Sequence, residues 1–321
     1  MSGAGAVLRC PDPACGVPVP AGDRFCEACG RLLPHGPAPA RGHAREEGDR
    51  VEVWLPEAAG VCDRGLRRRR NEDAMALSAL DGAGVIVLVV CDGVSSSAEA
   101  ARASRTAADV TLAVLVAATA HEGADPEAAM REAAEEAQRA VAAIPYARAS
   151  GKEPPASTLV AAVVRDRRAT IGWLGDSRAY LVGPAGARLL SRDHTWGEEL
   201  ASRGPAPGWE AAGQPDHQAL TRWLGADGEG GGSLPVRTVP IADAGHLLLC
   251  SDGLWNYAPS AERLGRLVGE LAPGAAPLPV ARRLADFARA TGGHDNITVV
   301  VAALGGPGTA SDRGKGEEGT S

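Results

Sequence analysis

Acidic residues recur at the ends of short apolar runs in this chain, and no other feature constrains its fold as strongly. Four aspartates each stand within two residues of a continuously apolar run: Asp92, Asp176, Asp252 and Asp295. Apolar runs of about four to eight residues that are bounded by turn residues are typical of buried β-strands. A single Asp-Gly pair is typical of a turn, but its recurrence favours a shared site at the ends of several strands.

Together with Glu72 and Asp73, these aspartates suggest a metal site if the strand ends converge. Carboxylates that share one site cannot all stay ionised without a compensating cation. Hard oxygen ligands select Mg²⁺ or Mn²⁺ over zinc. Two such ions about 3.5 to 4 Å apart are a common means of hydrolysing phosphate esters. The pattern therefore predicts a binuclear centre with hydrolytic chemistry.

The order of predicted elements indicates an α+β fold. Apolar runs predict strands over 85–91, 159–164, 169–174, 179–182, 246–250 and 297–302. Helices are predicted over 99–120, 125–144, 261–271 and 280–290. Two long helices separate the early strands, whereas only turns separate the middle ones. This order predicts an antiparallel β-sandwich covered by helices and argues against a doubly wound parallel sheet.

Composition and charge narrow the class of protein. Apolar residues make up 45% of the chain, which is enough for a sizeable core. The formal net charge of −7 disfavours general attraction to nucleic acid. No apolar run reaches the roughly 18 to 20 residues of a membrane helix, and no secretory signal pattern is present. We therefore expect a cytoplasmic protein with no membrane contact.

Four of the seven cysteines form a cluster near the start of the chain. They stand as a C-x4-C pair and a C-x2-C pair, at Cys10, Cys15, Cys26 and Cys29. Glycine follows each pair and lets the backbone turn around the sulfurs. Four thiolates predict one closed, structural Zn²⁺ site, although four unrelated cysteines are the alternative. The segment resembles the zinc ribbons of many bacterial regulatory proteins, and its few arginines favour a protein partner at least as much as nucleic acid.

Composition also divides the chain into four parts. Residues 1–32 form the predicted zinc ribbon. Residues 33–50 are rich in Pro, Gly and charge and form a predicted flexible linker. Residues 51–304 carry the predicted strands, helices and acidic motifs. The polar, Gly-rich residues 305–321 form a predicted disordered tail.

An ordered series of motifs carries a resemblance to a known family. The series is Arg68-x-x-Asn71-Glu72-Asp73-Ala74, Val89-Val90-Cys91-Asp92-Gly93-Val94, Ser157-Thr158-Leu159-Val160, Gly175-Asp176-Ser177-Arg178, Asp193-His194-Thr195, Leu220-Thr221-Arg222-x-Leu224-Gly225, Ser251-Asp252-Gly253-Leu254 and Asp295-Asn296-Ile297-Thr298. In this order it resembles the bacterial type 2C (PPM) metal-dependent serine/threonine protein phosphatases over about residues 60–304. The resemblance implies a four-layer αββα fold, with 51–304 as the catalytic domain.

The resemblance also implies the chemistry, which is hydrolysis of phosphoserine and phosphothreonine by a hydroxide held between two Mn²⁺ or Mg²⁺ ions. Asp92 would bridge the two ions, and the Gly93 carbonyl would join one of them. Asp252 and Asp295 would complete the first metal site. Arg68 would bind the phosphoryl oxygens.

The remaining roles are implied in the same way. Glu72 would serve the second metal largely through water, with Asp73 alongside. Asp176 would help to hold a weaker third metal, as in bacterial members. The segment between His194 and Leu220 resembles the family's mobile flap. The implied substrates are phosphorylated proteins, with a cognate Ser/Thr kinase as a natural partner.

Two departures from the family concern the acid step. Val94 stands where many eukaryotic members carry a histidine proposed as general acid, so the leaving oxygen would take its proton from water or another group. Three serines, 95–97, replace the usual small glycines. Two other functions stay open: a phosphatase of the same fold that acts on an anti-sigma antagonist, and a non-catalytic binding module. The second predicts loss of the metal carboxylates, which are all present.

The basic run 67–70 has two interpretations. It could be a nucleic-acid patch. It could instead be one phosphate ligand, Arg68, with solvated neighbours. The acidic net charge favours the second interpretation.

Overall fold

A computed structural model describes residues 8–9, 15–19, 43–80, 84–147, 151–203, 217–228 and 234–305. Its main body is a sandwich of two antiparallel sheets. One sheet has five strands in the order β14-β10-β9-β7-β6, and the other has seven in the order β12-β11-β15-β16-β5-β4-β3. Two short two-stranded ladders, β1-β2 and β13-β8, lie outside these sheets.

The strands of the five-stranded sheet are β6 (Asp73–Leu80), β7 (Val85–Asp92), β9 (Leu159–Arg165), β10 (Arg168–Leu174) and β14 (Val236–Pro240). Those of the seven-stranded sheet are β3 (His43–Glu47), β4 (Arg50–Trp54), β5 (Ala58–Asp63), β11 (Arg178–Gly183), β12 (Gly186–Leu189), β15 (Gly245–Cys250) and β16 (Ile297–Leu304). The short strands are β1 (Leu8–Arg9), β2 (Pro18–Val19), β8 (Ala156–Ser157) and β13 (Leu224–Gly225). The helices are α1 (Ala100–Thr119), α2 (Pro126–Ala142), α3 (Trp196–Arg203), α4 (Asp252–Trp255), α5 (Ala261–Gly269) and α6 (Pro277–Thr291).

Helices cover both outer faces of the sandwich. Helices α1 and α2 pack on the five-stranded sheet, and α5 and α6 pack on the seven-stranded sheet. Three apolar clusters fill the gaps, one under each helical layer and one between the sheets. The predicted α+β sandwich is therefore confirmed, and its layers follow the order αββα. Because aromatic residues are scarce, alanine and branched aliphatic side chains fill these layers.

Local sequence explains where the helices begin. The Asp125 carboxylate accepts hydrogen bonds from the Glu127 and Ala128 amides and caps α2, and Pro126 opens its first turn. Ser260 caps α5 by accepting from the Arg263 amide. These caps satisfy backbone donors that a helix leaves without partners.

Part of the predicted linker is instead strand. Residues 43–47 form β3, which pairs with β4 from His43 opposite Trp54 to Glu47 opposite Arg50. Every residue of β3 is exposed, so no apolar pattern marked it as a strand. The sandwich thus extends to residue 43, and the linker prediction is wrong from there onward. The rest of the predicted linker lies outside the described residues, as does the predicted tail beyond residue 305.

Of the predicted zinc ligands, only Cys15 lies within the described residues, and Cys10, Cys26 and Cys29 lie outside them. The antiparallel β1-β2 ladder, with Leu8 opposite Val19, brackets the first cysteine pair in sequence. Within the described ranges, no helix combines the length and apolarity needed to cross a bilayer.

Candidate metal centre

The centre begins with two aspartates that pair across neighbouring strands. Asp73 is the first residue of β6, Asp92 is the last residue of β7, and they lie opposite each other in the antiparallel register. The continuously apolar β7 is buried, so its end carries Asp92 to the rim of the sheet. Like charges directly opposite each other destabilise a sheet, so this pair requires compensation.

The seven-stranded sheet brings two more aspartates to the same end of the sandwich. Strand β15 ends at Cys250, and its antiparallel neighbour β16 begins at Ile297. Asp252 is the first residue of α4, which follows β15, and Asp295 lies in the turn that precedes β16. A Cβ atom on Gly253 would collide with the Asn296 carbonyl oxygen, so the close approach of α4 to this turn requires glycine.

A hydrogen-bonded clamp joins the two sheets at this end. Ser251 Oγ and Thr298 Oγ1 both donate to Asp73 Oδ2 at 2.7 Å. All three residues are buried. Ser251 and Thr298 both belong to the sequence motifs, but the motifs alone do not indicate this contact. The available signal was a hydroxyl residue, Thr298, inside an otherwise apolar strand.

Asn296 fastens the loop between β5 and β6 to the turn that carries Asp295. Its Oδ1 accepts from the Glu72 amide at 2.8 Å. Its Nδ2 donates to the carbonyls of Arg64 at 2.8 Å and Arg70 at 3.0 Å. This buried side chain therefore fixes the loop that carries Glu72.

Arg68 lies at the edge of the carboxylate group. Its Nη2 donates to Asp295 Oδ2 at 2.5 Å, and its Nη1 donates to Ser95 Oγ at 3.1 Å. Ser95 Oγ in turn donates to Glu72 Oε2 at 3.1 Å. Three predicted site residues are thus brought together, and a serine that departs from the family pattern bridges two of them.

Burial and mutual repulsion raise the pKa values of the aspartates. Burial is the largest cause for Asp92, whose pKa is raised well above its usual range, and the charges of Asp73, Asp252, Asp176 and Asp295 add to it. Burial and neighbouring aspartates raise the pKa of Asp252 in the same way. Burial also raises the pKa of Asp73 to about 6 and that of Asp176 to about 7. The group is therefore poised to accept positive charge.

Two carboxylate oxygens at this centre are buried acceptors that fit a divalent cation. Asp73 Oδ1 and Asp252 Oδ1 have no hydrogen-bond partner among the residues that the structure describes. Such atoms are costly unless an ion or water satisfies them. In the same described ranges, no group of three acidic, histidine or cysteine side chains is arranged so that it could hold a metal ion. A divalent cation such as Mg²⁺ or Mn²⁺ would offset the mutual repulsion of these carboxylates.

A separate network holds the backbone of Asp176. Trp255 Nε1 donates to the Asp176 carbonyl at 2.9 Å. The Arg178 guanidinium lies 3.8 Å from the centroid of the Trp255 ring and pairs with both oxygens of Asp193. The sequence does not indicate this network, because only the fold brings β11 next to α4.

Comparison with known proteins assigns the chain with this αββα sandwich to a family. A family model described as protein phosphatase 2C matches residues 66–289, and the chain belongs to that family. The chain is 32% identical over 260 residues to the serine/threonine protein phosphatase PstP of Mycobacterium tuberculosis, covering 79% of this chain and 46% of PstP. It is 34% identical over 150 residues to the serine/threonine phosphatase stp of Listeria innocua, covering 45% of this chain and 55% of that protein. The chain thus spans about half the length of the curated relatives it matches.

Solved structures show the same fold. The structure of Mycobacterium tuberculosis PstP/Ppp matches with a TM-score of 0.60 and 28% identity, over 77% of this chain and 98% of that chain. A structure of the PstP catalytic domain with two manganese ions matches with a TM-score of 0.59 and 27% identity, over 77% and 97%. Staphylococcus aureus Stp1 matches with a TM-score of 0.64 and 25% identity, over 79% and 96%.

We expect the metal-free protein to lose thermal stability as the pH rises from about 5 to about 8, and Mn²⁺ to restore it. The folded-state pKa values of about 6 for Asp73 and about 7 for Asp176 lie above the ordinary value of 3.8. The folded chain keeps protons that the unfolded chain has lost, so stability falls through this window. Thermal unfolding with chelator and with Mn²⁺ should show a larger Mn²⁺ effect near pH 8. An equal effect at both pH values would contradict this account.

Proposed function

We propose that this protein is a phosphatase that hydrolyses phosphoserine and phosphothreonine in other proteins at a binuclear Mn²⁺ or Mg²⁺ centre. One observation carries the proposal: four aspartates from two sheets meet at one end of the sandwich. Two buried oxygens there, Asp73 Oδ1 and Asp252 Oδ1, have no hydrogen-bond partner within the described part of the chain. Membership of the protein phosphatase 2C family supports the same reaction class.

The proposed ligands are those that the family resemblance implies, and the positions of several side chains support them. Asp92 comes from the five-stranded sheet and interacts electrostatically with Asp252 and Asp295 from the other. Asp92, Asp252 and Asp295 would therefore hold a divalent cation together, as the family resemblance implies. The carbonyl of Gly93 would join this site, as the family resemblance implies. A side chain at this position would collide with the Ala100 carbonyl, so the residue must be glycine.

Glu72 and Asp73, at the start of β6, would serve the second cation. Ser251 and Thr298 occupy one oxygen of Asp73, which leaves Asp73 Oδ1 for the cation or its water. Asp176 would support a weaker third cation, as the family resemblance implies.

The residues around the centre have separate chemical tasks. Bound Mn²⁺ or Mg²⁺ supplies Lewis acidity and an activated water as nucleophile. Arg68 is 38% exposed at the mouth, where its planar guanidinium can hold two phosphoryl oxygens. In this structure it neutralises Asp295, so phosphate binding requires the exchange of one anionic partner for another. Val94 has no titratable group, so the leaving oxygen takes its proton from water or another group.

We also propose that residues 1–32 form a zinc ribbon that recruits protein partners. The spacing of Cys10, Cys15, Cys26 and Cys29 and the short β1-β2 ladder support it. Thiolate ligands need a reducing compartment, which is the basis for proposing a cytoplasmic location. One zinc per chain by elemental analysis, lost in Cys26→Ser, is expected. Unchanged partners in a pulldown without residues 1–32 would refute the recruiting role.

The function is tested by hydrolysis of a phosphothreonine peptide with Mn²⁺, with Mg²⁺ and with chelator. We expect phosphate release that depends on the added metal. A folded protein that binds Mn²⁺ but hydrolyses no phosphopeptide would favour the non-catalytic alternative. Activity restricted to one phosphorylated partner, such as an anti-sigma antagonist, would favour the specialised phosphatase. A cognate Ser/Thr kinase and its targets are the first substrates to try.

A further inference from the structure

The loop before β6 carries three arginines that the proposed chemistry does not use. Arg67, Arg69 and Arg70, here called the arginine rim, are all exposed. None of their guanidinium groups has a hydrogen bond or ion pair with any residue in the described part of the chain. The chain as a whole has a net charge of −7, so three adjacent unneutralised cations are a local exception.

The neighbouring arginines of the same loop behave differently. Arg64 pairs with Asp49 at 2.8 Å, and Arg68 pairs with Asp295 at 2.5 Å. The loop therefore uses two arginines for internal contacts and presents the other three to solvent. An arginine that only shields the carboxylates would be expected to contact one of them, as Arg68 does.

The backbone of the loop is fixed beside the metal centre. The Leu66 amide donates to the Gly293 carbonyl at 2.7 Å. The Arg70 carbonyl accepts from Asn296 Nδ2 at 3.0 Å. Both partners flank Asp295 in sequence, so the loop is fastened at two points to the turn that carries it. The rim is thus held at the mouth of the site.

We infer that the arginine rim binds anionic side chains that flank the phosphorylated residue of a protein substrate. The inference rests on the proposed function, because it gives a substrate class to the same site. Rim residues lie one or two positions from Arg68, and neighbouring Cα atoms are about 3.8 Å apart. A phosphoryl group on Arg68 therefore places the adjacent residues of a peptide near the rim. Guanidinium groups bind carboxylates and phosphoryl groups in a planar fork, so aspartate, glutamate or a second phosphoresidue supplies the same chemistry.

An apolar neighbour favours a peptide over nucleic acid as the ligand. Leu66 is 52% exposed and is one of two large apolar side chains exposed in the described ranges. It adjoins Arg67 and rests on Gly293. A basic surface with an exposed leucine can contact both charged and apolar side chains of a protein.

The test measures peptide binding and hydrolysis separately, with the full chain and Mn²⁺. Four phosphothreonine peptides differ only in their flanks, which are acidic, neutral, basic or doubly phosphorylated. Versions with a non-hydrolysable phosphonate report affinity by fluorescence anisotropy, and the phosphate esters report kcat/KM. At low salt we expect the acidic peptide to bind about ten-fold more tightly than the basic one, with the preference reduced by added salt. The acidic and doubly phosphorylated peptides identify which anion the rim prefers.

Charge reversal assigns the preference to the rim. Arg67→Glu, Arg69→Glu and Arg70→Glu should each reduce the acidic preference about three-fold, and the triple variant should abolish it. The matched control is Arg168→Glu. Arg168 is an exposed arginine at the start of β10, and Asp176, a proposed metal ligand, follows the opposite end of that strand. The control should retain the preference.

Two results would overturn the inference. The first is equal affinity for acidic and basic phosphonate peptides. The second is a competition result, in which a single-stranded oligonucleotide of equal net charge displaces the bound acidic peptide at a lower concentration than the unlabelled peptide does. That result would assign the arginine rim to nucleic acid. Charge-selective binding with no hydrolysis of any peptide or of 4-nitrophenyl phosphate would instead refute the proposed function and leave the rim assigned to anionic peptides.

Discussion

Asp92→Asn is expected to abolish phosphopeptide hydrolysis while making the metal-free protein more resistant to heat. Asp92 lies opposite Asp73 and interacts unfavourably with three other carboxylates. Removing its charge removes that repulsion, so the melting temperature in chelator should rise. The same change removes the proposed bridging ligand, so kcat/KM should fall roughly a thousand-fold, at the upper end of the effect of losing one preorganised electrostatic group.

The two readouts together separate a site residue from a structural one. Thermal unfolding and hydrolysis are measured on the same preparations, each with Mn²⁺ and with chelator. Stabilisation by Mn²⁺ should shrink in the variant, because a ligand is lost. Asp243→Asn is the matched control, since Asp243 is exposed in the turn before β15. A variant that unfolds at a lower temperature in chelator would show that Asp92 supports the fold rather than the metals.

Asn296→Ala is expected to produce the largest loss of stability among single changes near the centre. Asn296 is 3% exposed and satisfies the Glu72 amide and two carbonyls. Each buried group left without a partner costs about 1 kcal/mol or more, which amounts to about 3 kcal/mol in total. For a domain of this size we expect the melting temperature to fall by about 6 to 12 °C. Hydrolysis should also weaken, because the loop that carries Glu72 and Arg68 loses its anchor.

A second amide provides the comparison for this prediction. Gln138 on α2 exchanges two hydrogen bonds with the backbone of Gly225, at 2.7 and 2.9 Å. Gln138→Ala should lower the melting temperature but leave kcat/KM within about two-fold per folded molecule, because its contacts lie outside the proposed metal and phosphate ligands. Equal losses of activity in the two variants would mean that Asn296 acts through general stability alone.

Local sequence determined most of the elements and the identity of the acidic residues. Continuous apolar runs such as 85–91 form buried strands, because removing apolar side chains from water is favourable in any fold that the chain adopts. Asp125 and Pro126 marked the start of α2, because capping depends on a few consecutive residues. The order of the motifs also indicated the family, since the residues of a shared site stand in the same order along related chains.

Tertiary structure decided how these elements meet. The register that sets Asp73 opposite Asp92 depends on hydrogen bonds between strands, and no local propensity encodes it. The Ser251 and Thr298 clamp on Asp73 joins residues more than 170 positions apart in the chain. Strand β3 forms because β4 offers an edge to pair with, although its own residues are all exposed.

The arginine run shows the division most directly. The family resemblance singled out Arg68 among four consecutive arginines and predicted solvated neighbours, but the sequence does not show what each guanidinium contacts. Only the fold turns Arg68 onto Asp295 and leaves Arg67, Arg69 and Arg70 facing solvent. The physical reason is that the direction of each side chain follows from backbone hydrogen bonds to a turn more than 200 residues away. Residue type therefore set the chemistry available to this protein, and long-range pairing set where each group acts.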